Sequence, residues 1–417
     1  MNKKRKKKFL NTNFVLFLAG RMISDVGSSV QMVTMPLYIL DIGGSAATIG
    51  MFSFLTLLPA LVIYPFAGVI GDRMNRKKIM VGTDLMSAGA ILALGFISYG
   101  GFMRISLLLI VQTVISLLNG LFEPATRGML PGLVAKEELT QSNSAVASMR
   151  SLGILLGPVI GTILYANFGI TMVFLMNGLS FLLSGASEMM IQYVYVKQQR
   201  IAGMKGIVSD LQEGIAFIMK NNIIRNMCYF FLVIYFVVQP IFGVIVPLLF
   251  KTHLHYLDTQ YGYLQTIIIL GALLGSVAVG VLFGKGEKII KSFKIGSGLL
   301  LGSMLMFSIL LFPRSITVLG NDTILYFALL AGILGLFSLA NILLSVPMQI
   351  YIQRQTPDEY MSRVFSLVSM ISRGGMPLGA LAYGMALEWV NVHLVVLTAV
   401  LLMIVICHIF IKSHSSI

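Results

Sequence analysis

The sequence predicts an all-α membrane protein with twelve membrane-spanning helices. Hydrophobic side chains make up 57% of the 417 residues and charged side chains only 11%, whereas a soluble domain carries roughly 25% charged residues. The apolar residues form long runs, each sufficient to cross a hydrocarbon core of about 30 Å at about 1.5 Å per helical residue. The charged residues fall mostly between these runs. The chain is therefore expected to cross a bilayer many times.

The apolar runs end at charged residues or at Gly, Pro and Asn, which interrupt helices or mark their ends. We predict spans at residues 14–40, 48–70, 79–98, 105–123, 143–165, 171–195, 226–250, 261–283, 293–312, 323–350, 361–384 and 390–411.

The longest polar interval, residues 197–225, divides the chain into two halves of six spans. Gly50 and Gly68 of span 2 match Gly262 and Gly280 of span 8 at one common offset, which indicates a duplicated six-span unit. Two six-helix bundles around a central cavity at the midplane form a transporter architecture. We expect a basic N-terminus at 1–12, bundles at 13–196 and 226–411, a linker at 197–225 and a tail at 412–417.

The basic residues predict the orientation of the chain. With the N-terminus in the cytoplasm, 24 of the 30 Lys and Arg lie in inner segments or within three residues of them, and only Arg104, Lys251 and Arg314 lie outside. This bias follows the positive-inside rule, so an even number of spans places both termini in the cytoplasm. We expect a multi-pass protein of a bacterial-type inner membrane. The net charge of +14 therefore reflects topology rather than nucleic-acid binding.

Several classes of function lack their sequence signals. Cys228 and Cys407 lie far apart inside apolar runs, and the five His residues show no metal-ligand spacing. There is no phosphate-binding Gly-x-x-x-x-Gly-Lys-Ser/Thr loop. We therefore expect neither an enzyme nor a protein that holds a metal or cofactor.

A charged turn joins spans 2 and 3 and contains Gly68, Asp72, Arg73, Arg76 and Lys77. Its pattern resembles the signature loop of the major facilitator superfamily, and the twelve spans and their division into six and six extend this resemblance along the chain. The resemblance implies the major facilitator fold and a gating role for the loop, with arginines pairing to acids on adjacent helices. The alternative is that any inner loop collects basic residues.

The corresponding turn of the second half, residues 280–288, has lost the acid that would match Asp72. A latch built from these turns is therefore expected to be stronger in the N-terminal half.

Span 5 contains Gly153, Gly157, Pro158 and Gly161. This pattern resembles the Gly-Pro motif of exporters in the superfamily, although Thr162 stands where the fuller motif has glycine. Small residues at this spacing permit close helix contact, and proline bends a helix. The pattern fits two interpretations, a functional hinge and plain helix packing.

Residues 119–131 and 137–143 resemble the macrolide-efflux and enterobactin-exporter branch of the same superfamily. The arginine that many proton-coupled drug antiporters carry inside span 4 is absent here, which puts any coupling that depends on it in doubt.

Ionisable residues inside the predicted spans are the candidates for coupling or substrate contact, since each costs roughly 2.5 to 3.5 kcal/mol at the bilayer centre. Asp25 and Arg373 lie near the midplane, and Arg21 can pair with Asp25 four residues away. Glu123 and Glu188 lie near the inner ends of their spans, where they are positioned to reach water. The candidates are Arg21, Asp25, Asp84, Glu123 and Arg373.

The resemblance implies a secondary active transporter that exports amphipathic drug-like or siderophore-like molecules by alternating access, with proton antiport as the coupling. Its expected partners are the substrate, protons and the bilayer, and we expect a monomer. A lipid or lysolipid translocator on the same scaffold is the alternative.

Overall fold

The computed structural model describes residues 11–135, 138–193, 204–283, 289–356 and 358–413. Within these residues the chain is helical and contains no β-strand. The helices are α1 Thr12–Asp41, α2 Ala46–Arg73, α3 Arg76–Tyr99, α4 Ile105–Leu133, α5 Leu139–Met190, α6 Met204–Lys220, α7 Asn222–Val237, α8 Val246–Leu248, α9 Asp258–Phe283, α10 Ile289–Leu310, α11 Pro313–Leu319, α12 Ile324–Gln355, α13 Asp358–Ala386 and α14 Val392–Ser413.

Nine helical stretches of the described chain are long and apolar enough to cross a membrane. One of them, Gln141–Met190, has 50 residues, and its helix is interrupted at Gly169, where φ is 72°. This positive φ suits glycine and separates the two spans predicted on either side. The multi-pass character is confirmed, while the count of twelve spans remains a prediction.

Helix α4 continues ten residues beyond the predicted end of its span at Glu123. The helix passes through Pro124 and Pro131, and side chains from elsewhere in the unit bond to carbonyls of its last turns. Arg76 Nη1 donates to Gly128 O at 2.5 Å, and Asn11 Nδ2 donates to Leu133 O at 2.8 Å. Glu123 therefore lies well inside the helix rather than at its end.

The turn between α2 and α3 is also shorter than predicted. Helix α2 ends at Arg73, and α3 begins at Arg76 after Asn75, whose side-chain oxygen accepts a hydrogen bond from Lys77 N at 3.0 Å. This cap satisfies a free amide of the first helical turn. Most residues of the predicted gating loop are therefore helical.

The predicted linker contains helix α6, Met204–Lys220, directly before α7. Residues 194–203 lie outside the described chain. After α7, two π-helical turns, Ile241–Ile245 and Leu249–His253, flank the short helix α8.

The chain divides into two compact units. The N-terminal unit comprises the described residues of 1–42 and 55–207, and the C-terminal unit comprises those of 43–54 and 208–417. The boundary falls inside α2, so its first nine residues group with the C-terminal unit. The domain boundaries predicted at 13–196 and 226–411 remain a prediction.

The N-terminal unit is organised by the packing of α1 and α3 against α5. At one end of the unit, Phe14 and Phe17 of α1 are buried with Met80 of α3 and Met129 of α4. Helices α1, α3 and α4 also carry most of the ionisable side chains described below.

The C-terminal unit is organised by α12, which packs against α9 and α10, and by the contact of α7 with α13. Glycines permit both approaches: a Cβ on Gly271 would collide with Gly335 O, and one on Gly375 would collide with Leu232 O. These contacts bring helix backbones together as small residues do in membrane interiors.

Candidate functional site

A cluster of charged side chains lies inside the N-terminal unit. Arg21 of α1 directs Nε to Asp25 Oδ2 at 3.3 Å and Nη2 to Glu123 Oε1 of α4 at 2.5 Å. The side chain of Arg21 is only 7% exposed, and its guanidinium lies 5.0 Å from the centre of the Phe122 ring. The pairing of Arg21 with Asp25 is confirmed, while the functional role of these residues remains a prediction.

Glu123 is the centre of this cluster. Besides Arg21, Glu123 Oε1 contacts Arg150 Nη1 at 3.6 Å, and Glu123 Oε2 contacts Arg127 Nε at 3.7 Å. Arg127 is largely exposed and Arg150 half-exposed, so their contributions are screened more than that of Arg21. One carboxylate therefore connects α1, α4 and α5.

The local sequence explains how these side chains meet. Arg21 and Asp25, like Glu123 and Arg127, are four residues apart on one helix and share a face. Arg150 reaches the cluster from α5, and Gly153, three residues later, lies beside α1, where a Cβ would make an ordinary van der Waals contact at 3.4 Å from Val26 N.

The small-residue stripe of α5 continues this contact along α1. A Cβ on Gly157 would lie 2.5 Å from Ser29 Cβ, and one on Gly161 would lie 2.9 Å from Val30 O. Pro158 lies between them inside the helix, and its carbonyl accepts a hydrogen bond from Thr162 Oγ1 at 2.7 Å. This geometry explains the glycines by packing, and the hinge role remains a prediction.

Asp84 of α3 and Glu188 of α5 form a second group of acids, which is more completely buried within the protein. Both residues are only 2% exposed. The expectation that Glu188 reaches water is therefore wrong, because α1, α3 and α5 pack around its side chain near the end of α5. Neither carboxyl forms an ion pair with a side chain that the structure describes.

The gating-loop residues are described in part. Arg76 donates to Gly128 O, and Lys77 Nζ donates to Met189 O of α5 at 2.7 Å. The surroundings of Gly68, Asp72 and Arg73 lie outside what the structure describes. So do residues 284–288 of the counterpart turn, so the asymmetric latch remains a prediction.

Arg373 lies in α13 of the C-terminal unit and is exposed. Among the side chains described, no acid forms an ion pair with it, and Tyr235 of α7 lies within electrostatic reach. The neighbouring Gly375 packs against α7, while Gly374 has open space beside it. The candidates thus divide, four in the N-terminal unit and Arg373 in the C-terminal unit.

Three residues of these groups were not selected from the sequence: Arg127, Arg150 and Glu188. Arg150 and Glu188 carried a signal, since both are ionisable residues inside predicted spans. Both residues lie toward the inner ends of their spans, where an ionisable side chain is less unusual than at the midplane.

Comparisons with known proteins identify the family. A profile of the Major Facilitator Superfamily matches residues 17–380. Macrolide efflux protein A of Streptococcus pyogenes is 24% identical over 388 residues, which cover 91% of this chain and 90% of that protein. Multidrug efflux pump Tap of Mycobacterium bovis is 26% identical over 275 residues, covering 64% of this chain and 65% of that protein.

Solved structures agree on the fold. The nucleoside transporter NupG superposes with a TM-score of 0.75 at 11% sequence identity and covers 97% of this chain and 99% of its own. A bacterial homologue of the iron transporter ferroportin in its inward-facing state gives a TM-score of 0.69 at 17% identity, over 94% of this chain and 97% of its own. With the profile matching most of its length, the chain belongs to the Major Facilitator Superfamily and is a membrane transporter rather than an enzyme.

Proposed function

We propose that this transporter exports amphipathic, drug-like small molecules by alternating access, in exchange for protons. The observation that carries the proposal is the buried cluster in which Arg21 is shared by Asp25 and Glu123. The efflux names of the two relatives support the direction of transport and the substrate class.

The cluster suits coupling because its two carboxylates are unequal. Arg21 lies closer to Glu123, at 2.5 Å, than to Asp25, at 3.3 Å, and Glu123 has further arginines nearby. Asp25 is the more weakly held partner. A proton or a cationic substrate group that reaches Asp25 would weaken its contact with Arg21 without leaving Glu123 unpaired.

The apolar composition suits an amphipathic substrate. The chain has 26 Met and 26 Phe residues, and methionine adapts to apolar ligands of varied shape. Arg373 supplies an exposed positive charge in α13, which costs least where it meets water or a ligand rather than lipid. We propose that it serves gating or the recognition of anionic groups.

The remaining parts of the proposal concern the setting of the protein. We propose a monomer in the inner membrane of a bacterial-type cell, with both termini cytoplasmic, two six-helix bundles around a central cavity, and the turn between α2 and α3 as the cytoplasmic gate.

Uptake into inverted membrane vesicles tests this function. A macrolide and other amphipathic drugs should accumulate when an inwardly acid pH gradient is imposed and should leak away when the gradient is collapsed. Vesicles that contain the Asp25→Asn variant should respond less to the gradient. Drug uptake that is indifferent to the gradient in the unmodified protein would refute antiport.

A fluorescent lysolipid in the same vesicles tests the lipid alternative. The relatives described above are named for macrolide and multidrug efflux. We expect no lipid movement above that of vesicles without the transporter, and lipid movement without drug movement would overturn the substrate class.

A further inference from the structure

Two buried carboxyl oxygens without a hydrogen-bond partner in the described chain lie where α3 meets the end of α5. They are Asp84 Oδ2 and Glu188 Oε2, and the hydroxyl of Ser184 lies beside the Asp84 carboxyl. Ser184 is fully buried, and Asp84 and Glu188 are 2% exposed. Buried polar atoms in native proteins almost always have partners, so such a group indicates a ligand.

The backbone geometry brings the two carboxyls onto facing surfaces. A Cβ on Gly185 would lie 3.6 Å from Asp84 Cβ, so α5 passes close to Asp84 at this glycine. Glu188 follows Gly185 by three residues and Ser184 by four, so all three share one face of α5. The charge of Asp84 acts on Glu188, and Asp25 of α1 acts on Asp84 in turn.

The neighbouring cations are already engaged. Arg21 of α1 acts on both carboxyls from a distance, but its guanidinium contacts Asp25 and Glu123. Lys77 of α3 donates to Met189 O. On α4, Arg127 contacts Glu123.

Two ionised carboxylates in this setting would repel each other without compensation. Burying an unpaired charge costs far more than burying a neutral carboxyl group, and two carboxylates at one site cannot both ionise cheaply.

We propose that Asp84 and Glu188 share one exchangeable proton and form a second proton-carrying site of the transporter, beside the cluster of Arg21, Asp25 and Glu123. This inference rests on the proposed proton antiport and names further residues that carry it. A hydronium ion on the outer side loses an O–H bond as one carboxyl O–H bond forms, and that carboxyl bond breaks when the proton passes to water on the cytoplasmic side. Substrate leaves in the opposite direction within the same cycle.

A proton suits this site better than a metal ion. Hard cations such as Ca²⁺ take six to eight oxygen ligands, whereas only the side chains of Asp84, Ser184 and Glu188 supply oxygens in this group. Among the described residues there is no group of three or more His, Cys, Asp and Glu side chains that could hold a metal ion.

Infrared absorption of the purified protein tests the shared proton without transport. At neutral pH the unmodified protein should show a protonated-carboxyl band that shifts in heavy water, and the Asp84→Asn, Glu188→Gln double variant should lose it. Glu213→Gln, which changes an exposed carboxyl of α6, is the matched control and should retain the band. Absence of the band in the unmodified protein, or its persistence in the double variant, would overturn the proposal.

Transport tests the coupling role. Asn and Gln imitate the protonated carboxyls, so each single variant should fold, should still bind drug and exchange it across the membrane, and should lose accumulation driven by a pH gradient. Accumulation equal to that of Glu213→Gln in both variants would overturn the coupling role. Transport that follows a sodium gradient and is lost in the same variants would assign the site to sodium instead.

The two measurements separate this inference from the proposed function. If the unmodified protein ignores the pH gradient, antiport fails, and the coupling role fails with it, whereas the infrared band still shows whether the pair holds a proton. If the gradient drives transport in the unmodified protein and in both variants, antiport stands and only this site is wrong.

Discussion

The two units of the chain differ in how they treat charge within the helices. In the N-terminal unit, Arg21, Asp25 and Glu123 form a connected network, and Asp84 and Glu188 lie buried beside it. The ion pair described in the C-terminal unit, Lys251 with Asp258 at 2.8 Å, lies near the start of α9. Its intramembrane candidate, Arg373, has no such network among the described side chains.

Aromatic contacts dominate the interior of the C-terminal unit instead. Phe230 lies 4.4 Å from Phe410 and 5.3 Å from Phe293, measured between ring centres. A second group joins Phe250, Tyr261 and Phe327. From this contrast we expect ion coupling in the N-terminal unit, with apolar packing and recognition in the C-terminal unit. The following predictions test that division, ordered by expected effect on folding.

Replacing Glu123 with alanine should give the largest loss of stability. The substitution removes one partner of Arg21 and leaves that buried cation with Asp25 alone. Breaking a buried ion pair by removing one partner costs about 3 to 5 kcal/mol. Thermal unfolding of the purified protein in detergent measures this loss.

Asp258→Ala is the matched control in the C-terminal unit. It breaks the ion pair with Lys251. The side chains of Lys251 and Asp258 are 23% and 17% exposed, so a smaller loss of stability is expected because part of the charge remains solvated. Equal losses in the two variants would contradict the assignment of the essential ion network to one unit.

Glycine contacts should be important in both units. Gly157→Ala and Gly271→Ala place a Cβ against Ser29 and against the Gly335 carbonyl, so each should destabilise the protein by about 1 to 3 kcal/mol.

Gly89→Ala and Gly302→Ala are the controls, because nothing lies within 4 Å of a Cβ at either position. Both lie in helices and should gain about 0.5 to 1 kcal/mol from the helix preference of alanine. If Gly157→Ala keeps its stability but slows transport, the hinge interpretation of α5 is favoured over packing.

Replacing Glu388, which lies between α13 and α14, should have a small, pH-dependent effect on stability. Its Oε1 accepts a hydrogen bond from Ala47 N at 3.0 Å at the start of α2. A hydrogen bond with Ser45, and then the one from Ala47, lower the pKa of Glu388 below its usual 4.5. A lowered folded pKa stabilises the fold above the usual value, and that contribution disappears as pH falls through the lowered pKa.

Glu388→Gln should therefore lose a few tenths to about 1 kcal/mol at neutral pH, the range for an exposed acid at a helix N-terminus. The difference from the unmodified protein should begin to shrink as pH falls below about 4.5 and should vanish below the lowered folded pKa. Unfolding measured across pH, with Asp322→Asn as a control for an exposed carboxyl, checks the sign. A difference that grows toward acid would contradict it.

Arg373→Ala should change stability least, by less than about 0.5 kcal/mol, since the side chain is exposed and forms no ion pair with a described residue. Its effect should appear in transport, as weaker uptake of compounds that carry an acidic group. Arg373→Lys retains the positive charge and should recover part of the lost uptake. Unchanged uptake in Arg373→Ala would remove this residue from the site.

Local spacing predicted more of the site than long-range packing. The pair of Arg21 and Asp25 follows from a separation of four residues on one helix. The contact of Arg21 with Glu123 joins residues far apart in sequence. The spacing of polar and apolar residues within either helix does not predict it.

Depth within a span was a weaker guide to burial. Glu188 lies near the end of α5 but is enclosed by neighbouring helices. Gln31, a polar residue inside span 1, is also buried and accepts a hydrogen bond from Asn177 at 2.6 Å. Hydropathy predicted the helices well, but which face of each helix meets a neighbour depends on packing that one sequence does not reveal.

The contact between Lys77 and Met189 gives the proposed proton site a timescale. Met189 directly follows Glu188, so the hydrogen bond from Lys77 ties the last turn of α5 to α3 beside that carboxyl, while Ser187 and Gln192 bond to α1. Helix ends open locally far more often than whole domains unfold. Each such fraying event would hydrate Glu188, so the joint lifetime of these contacts would set how often the buried carboxyl exchanges with bulk water.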